Sequence, residues 1–279
     1  MKLTKKLIPA LGMLVLSACM LVTSTFAWFS MNDRVKADGM TVTAKANQVY
    51  LQIVTDKTKF DNKQAQTSAT ATNSGYTTPD GGGEATPSTF LPITVGSGLT
   101  NSNKTLTAVA AAEGLLSTNT IKWYVNYSND PAAYKNDNNE YSEVTVDTAE
   151  QNLKPYCLIN TFYVRLNPAT NMTSTSSPLR SEIATTFADA DPMALSVSVL
   201  VVCGNNAQLW KQTALNTWAS TGEKLTAGGF ANNDADGFNG GHEVKVYIFF
   251  DGENTNCTTN NVKTTNYAVT VNFTVAAQN

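Results

Sequence analysis

The sequence predicts an all-β fold, a two-sheet antiparallel sandwich with one short helix and long loops, behind an apolar N-terminal segment. Three observations carry this. Several segments after residue 40 alternate apolar and polar residues with a period of two, the mark of half-buried strands. Thr and Asn make up about a quarter of the 279 residues; Thr favours strands and Asn favours turns. Only one segment, 106–116, has a helical composition.

In chain order, Lys2, Lys5 and Lys6 precede an uncharged apolar run from Leu7 to Phe29, with small residues at Thr25 and Ala27. These are the parts of a secretory signal peptide, cut between Ala27 and Trp28. Two other readings compete. The run is near the ~20 residues that a membrane helix needs, and Leu16-Ser17-Ala18-Cys19 fits the pattern that precedes a lipidated cysteine. Against them, Met20-Leu21-Val22 continue the apolar run where a polar tether belongs, and the first following charge stands off from the run. The expected organisation is a signal peptide over 1–27 and one sandwich domain over 28–279, placed outside the cell or at its surface.

The first strand spans Met40 to Val54, where Met40, Val42, Ala44 and Ala46 alternate with Thr41, Thr43, Lys45 and Asn47. From about 55 to 105 periodicity is lost in a stretch rich in Gly, Ser, Thr and Pro, which reads as a long exposed loop. Leu106 to Leu116, alanine-rich but weakened by Gly114, is the one helix candidate. Strands are expected at Ile121–Tyr127, Ser142–Val146, Leu158–Leu166, Met193–Val202, Val244–Phe250 and Tyr267–Val275. That gives seven or eight strands, the last one ending the domain. The number and spacing suit a sandwich.

With 42% hydrophobic residues the chain can build a core, and with 15% charged residues and a net charge of -3 it has no basic surface for nucleic acid. Without Cys19, Cys157, Cys203 and Cys257 allow at most one internal disulfide, with Cys203–Cys257 the favoured pair and three free thiols the alternative.

The chemical inventory is poor, and no catalytic residue or cofactor is expected. One histidine, His242, excludes two-histidine zinc motifs and reads as an exposed turn residue. Gly81-Gly82-Gly83 lacks the strand before it and the Lys-Ser/Thr after it that a phosphate loop needs. Leu91-Pro92-Ile93-Thr94 is not followed by the glycine of a sorting signal. Trp123, Tyr124 and Tyr127 could form a glycan platform, but alternation sends Trp123 and Tyr124 to opposite faces, which favours core packing. Asn232, Asp234 and Asp236 with Gly237 and Glu243 have the oxygen-ligand spacing of a calcium loop. However, Asn stands at the first position and a strand follows in place of a helix, so a plain turn is preferred.

The junction Ser24-Thr25-Phe26-Ala27-Trp28-Phe29-Ser30, followed by a polar stretch and a Val/Thr/Ala strand, resembles the N-terminus of the TasA/camelysin family of secreted proteins of Gram-positive bacteria. Val246-Tyr247-Ile248-Phe249-Phe250-Asp251-Gly252-Glu253 with Cys257 is similar to late strands in related clostridial surface proteins. The resemblance implies a jelly-roll sandwich, processing by a dedicated signal peptidase, and assembly into biofilm-matrix fibres in which an N-terminal segment of one subunit completes the sheet of the next. Carried over by position, the assembly strand runs from Trp28 and Phe29 through Val35 and Met40 to Val42, with a second copy and other matrix or cell-surface components as partners. The metalloprotease activity ascribed to camelysin-type proteins is not carried over, because no zinc motif is present.

The function expected is therefore a secreted, non-enzymatic fibre or matrix subunit. A membrane-anchored or lipidated surface adhesin and a secreted carbohydrate-binding sandwich are the alternatives.

Overall fold

A computed structural model describes residues 35–36, 41–46, 51–60, 68–72, 89–126, 140–166, 177–187, 192–230, 241–258 and 267–275. Among these residues are eighteen strands: β1 (Val35–Lys36), β2 (Thr41–Ala46), β3 (Leu51–Val54), β4 (Ser68–Thr72), β5 (Thr89–Phe90), β6 (Thr94–Gly96), β7 (Gly98–Thr100), β8 (Thr105–Thr107), β9 (Leu116–Ser117), β10 (Lys122–Val125), β11 (Ser142–Val144), β12 (Cys157–Leu166), β13 (Arg180–Ile183), β14 (Val197–Cys203), β15 (Asn206–Ala214), β16 (Thr217–Thr221), β17 (His242–Phe250) and β18 (Ala268–Thr274). The helical elements among them are short 3-10 turns.

The protein is mostly β-sheet, and most of its ladders are antiparallel. The largest sheet has seven strands in the order β16-β15-β14-β17-β12-β3, with β9 joined to β15 beside β16. A four-stranded sheet runs β13-β18-β2-β4, and a three-stranded one runs β11-β10-β6. Two-stranded pairs join β1 to β5 and β7 to β8.

Period-two alternation divides the large sheet into two apolar faces. Val244, Val246, Ile248 and Phe250 of β17, with Phe162, Val164 and Leu166 of β12 and Val197, Val199 and Val201 of β14, share one buried cluster with Val42 and Ala44 of β2 and Val269, Val271 and Phe273 of β18. This cluster joins the seven-stranded and four-stranded sheets. On the opposite face Leu200, Leu209, Tyr247 and Phe249 pack with Ile93, Val95 and Trp123 of the β6–β10 region. Strands such as β14 are therefore apolar on both faces, which is why their sequence alternates first and then turns continuously apolar.

Several sequence expectations are corrected. The helix expected over Leu106 to Leu116 is absent: β8 ends at Thr107, and after it Ala112 and Leu115 exchange backbone hydrogen bonds of 2.9 Å around a turn. Glu113 (φ 52) and Gly114 (φ 76) are left-handed there, and Ala110, Ala111 and Ala112 are exposed. An eleven-residue segment without an apolar stripe to bury cannot sustain a helix.

The strand expected from Met40 to Val54 is two strands in different sheets, β2 in the four-stranded and β3 in the seven-stranded. The expected loop over 55–105 contains β4, which pairs with β2, and β6, whose neighbour Ile93 is 1% exposed. Met193 to Ser196 belong to a 3-10 turn, so β14 starts later than expected. Arg180–Ile183, Asn206–Ala214 and Thr217–Thr221 are strands that the sequence reading missed.

The sheets are not wholly antiparallel, since β2 and β18 pair in parallel, Val42 opposite Val269 and Ala44 opposite Val271. The first and last strands of the main sheets are joined by no tight turn, so no hairpin dictates their direction.

All three described cysteines are free and buried, against the expected Cys203–Cys257 bond. Cys203 lies opposite Val244 at the start of β17, whereas Cys257 follows the far end of that strand. Six residues at ~3.3 Å each separate Val244 from Phe250, about 20 Å, far beyond the span of a disulfide.

Candidate functional site

On the outer face of the seven-stranded sheet, away from the four-stranded sheet, lies a groove of about 790 Å³. Its floor is the β14–β17 pair, where Leu200 and Val202 stand beside Lys245 and Tyr247. Ile121 and Trp123 wall one side, and the β14–β15 turn at Gly204 and Asn205 closes another.

Glu150 is the centre of its polar chemistry. The turn before it is tied by Gln151 N–H donating to Asp147 Oδ1 (2.7 Å) and Glu150 N–H donating to Asp147 O (3.0 Å). Glu150 itself is left-handed (φ 58, ψ 23), an uncommon conformation for a residue with a Cβ. That conformation presents its carboxylate to the sheet. Lys245 Nζ and Tyr247 Oη both donate to Glu150 Oε1, each at 2.8 Å. The two donors stand two residues apart on β17 and so share a face.

Burial, and then the bond to Glu150, push the Tyr247 hydroxyl well above its ordinary range, so it stays protonated as the donor. Burial also pushes the Cys157 thiol up, with the charge of Glu150 adding to it. At the other end of the groove burial and Glu243 push the Cys203 thiol up to about 11, so the thiolate is scarce at neutral pH. Burial and Glu243 raise Tyr163 in the same direction. This arrangement keeps the tyrosines and thiols protonated and commits the Glu150 carboxylate to two donors.

Trp123 is 5% exposed, with its ring 5.8 Å from Tyr247 and 5.1 Å from Phe249. Tyr124 points the other way, against Tyr141 at 6.5 Å. Both side chains are core residues, as alternation predicted, while Tyr127 lies outside the described residues.

His242 is not an exposed turn residue. It opens β17 opposite Val164, half-buried against the Phe230 ring at 4.7 Å. Of the candidate calcium ligands, Asn232, Asp234 and Asp236 lie outside the described residues. Glu243 is a β17 residue, exposed and 3.9 Å from Lys245. Among the described residues no group of three His, Cys, Asp or Glu side chains is arranged to hold a metal.

The expected cleavage site, Ala27 and Trp28, lies outside the described residues, as do Phe29 and Met40 of the assembly strand. Its other two positions are described: Val35 is in β1, and Val42 is in β2 and fully buried. No helix among the described residues is long and apolar enough to cross a membrane.

Sequence reasoning missed the Glu150 group. Glu150 and Lys245 are 95 residues apart, and nothing in Asp147-Thr148-Ala149-Glu150 distinguishes it from an ordinary surface turn.

Fold and groove define an all-β protein with several sheets, whose outer-face carboxylate is held by a lysine and a tyrosine. Compared with protein-family models, curated proteins and solved structures, the chain matches none.

Proposed function

We propose that this protein is a secreted, non-enzymatic subunit of an extracellular fibre or matrix, and that its N-terminal segment, from Trp28 and Phe29 to Val42, joins one copy to the next. The packing of the seven-stranded and four-stranded sheets around one core supports reading the domain as a jelly-roll-like sandwich. The observation that carries the assembly reading is the contrast between β1 and β2. β1 makes only two residue pairs, Val35 with Phe90 and Lys36 with Thr89, and belongs to neither large sheet. β2 is held on both sides by β18 and β4, with Val42 and Ala44 fully buried.

An element held by so few backbone hydrogen bonds is released at small cost, each contributing about 1 kcal/mol net. The same pairs can be remade with β5 of a second copy, an exchange of identical contacts. β2 meanwhile anchors the donor chain. The uncharged sequence of β4, Ser-Ala-Thr-Ala-Thr at the edge of the four-stranded sheet, is compatible with strand addition because it carries no lysine or proline to repel a partner.

Deleting Trp28 to Ala37 tests this directly. The mature protein is expected to form fibres visible by electron microscopy and the deleted protein to form none; fibres after the deletion overturn the donor role. Mass spectrometry of the exported protein is expected to find Trp28 at its N-terminus, and an intact Leu7 to Phe29 or a lipidated Cys19 would favour the anchored adhesin.

A further inference from the structure

The two large sheets end differently at their two sides. β3, one end of the seven-stranded sheet, packs against β2 and β4 and closes that side. At the other end β16 faces β13 of the four-stranded sheet across an open cleft of about 560 Å³, lined by Ser181, Gln208, Trp210, Trp218 and Ser220. Across the cleft floor, Ser181 N–H and Oγ donate to Gln208 Oε1 at 2.7 and 3.0 Å, and Trp210 Nε1 donates to Ser181 Oγ at 3.1 Å. This bonding holds the cleft walls in place.

β16 pairs with β15 on one side, and its other side has no strand partner among the described residues. Its sequence is Thr217-Trp218-Ala219-Ser220-Thr221, with Thr217, Ala219 and Ser220 exposed. Natural edge strands are normally blunted by lysine, proline or an inward charge, and β16 has none of these. The nearby Lys211, opposite Ala219 on β15, is taken up by Asp251 at 2.7 Å. Trp218 packs on the core beside Phe187, with its Nε1 buried under the ring's neighbours and its outer edge on the cleft. A strand edge without charge or proline is open to pairing with another chain.

We infer that β16 pairs antiparallel with β16 of a second copy of this chain, about a two-fold axis through Ala219, to make one sheet continuous across two subunits. The sequence is complementary to itself in this register. Ala219 meets Ala219, Thr217 meets Thr221, and Trp218 meets Ser220, so no like charges oppose and every large side chain faces a small one. Trp218 and Ser220 line the cleft, so the pairing extends that face of the sheet and sets the small Ser220 of the second copy beside each indole ring. The contact is isologous and closes on itself, giving a dimer and not an open chain. It is therefore distinct from the N-terminal exchange, which is head-to-tail and uses β1. A five-residue ladder is small beside the ~1,600 Å² of a standard interface, so the dimer is a weak, concentration-dependent one.

Ala219→Cys provides the test. In this register the two Cβ atoms stand about 4.5–5.5 Å apart, and the native Cys157, Cys203 and Cys257 are buried. Mild oxidation of the variant lacking Trp28 to Ala37 is expected to give a disulfide-linked dimer. Thr148→Cys, on an exposed turn, is expected to give only background. In sedimentation, Ala219→Lys is expected to weaken dimerisation at least tenfold with an unchanged Tm. Absence of the Ala219→Cys dimer, equal cross-linking at Thr148→Cys, or unweakened dimers of Ala219→Lys would overturn the inference. Because the N-terminal segment is deleted, failure here leaves fibre formation by the full mature chain standing, and failure of fibre formation leaves this dimer standing.

Discussion

The two faces of the seven-stranded sheet are built from the same strands and do opposite things. Toward the four-stranded sheet, β17 contributes Val244, Val246, Ile248 and Phe250, all fully buried among aliphatic and aromatic neighbours. Toward the groove the same strand contributes Glu243, Lys245, Tyr247 and Phe249, which grade from exposed charge to closed aromatic core. One face is bound by packing along its whole length. The other is packed at one end and solvated at the other, with Glu150 bridging the change. A carboxylate, an ammonium and a phenol can share a partly buried site only if each finds a partner, and here one oxygen serves both donors.

The contrast predicts a graded series of effects. The largest belongs to the dry face: Phe162→Ala removes a fully buried ring from the centre of the main cluster and is expected to cost about 3–5 kcal/mol, read as a shift of the denaturant midpoint. A cost below about 1 kcal/mol would mean that the two sheets are not packed as described.

At the junction of the two faces, Glu150→Gln leaves Lys245 and Tyr247 without their charged acceptor. It is expected to cost about 1–3 kcal/mol by the same measurement and to lower the Tyr247 titration, which burial still holds above that of a free tyrosine, as seen in the ultraviolet spectrum.

Alkali acts on both faces. Burial raises the Cys203 thiol from its ordinary 9 to about 11, and burial raises Cys257 and Tyr247 in the same direction. These groups hold their protons more tightly folded than unfolded. The contribution of Cys203 is therefore fully present below pH 9 and lost as pH rises through 11, while that of Cys257 and Tyr247 begins to fall in the same window and goes on falling above it. Stability is expected to fall steadily over that window in a pH series of melts, and Cys203→Ala is expected to flatten the first part of the fall. No slope between pH 9 and 11 would contradict the burial of these thiols.

The smallest effect lies at the surface of the three-stranded sheet. Lys122 and Glu143 make an exposed pair at 3.1 Å, and Lys122→Ala is expected to leave Tm unchanged.

Much of this fold is legible in the chain. Alternation locates β2, β10, β12, β14, β17 and β18, because a half-buried strand must place alternate residues on one face and the chain has to show it. The same rule sends Trp123 to the core. What alternation does not encode is the partner of each strand. β2 and β3 look like one continuous strand, yet they enter different sheets, and β2 lies parallel to β18 although some 220 residues separate them. β13 and β16 carry too few apolar residues to be recognised alone, and become strands because β18 and β15 offer them ladders.

Composition and periodicity are local properties, and they are enough to establish an all-β protein with little charge, an apolar N-terminal run and a core drawn from a handful of alternating segments. Packing in three dimensions settles which faces meet, that Cys203 and Cys257 sit at opposite ends of β17, that the alanine-rich segment turns beside Glu223 and does not coil, and that Glu150 meets Lys245 and Tyr247. Each of those depends on contacts between residues distant in the chain, where backbone pairing and burial in three dimensions outweigh local preference.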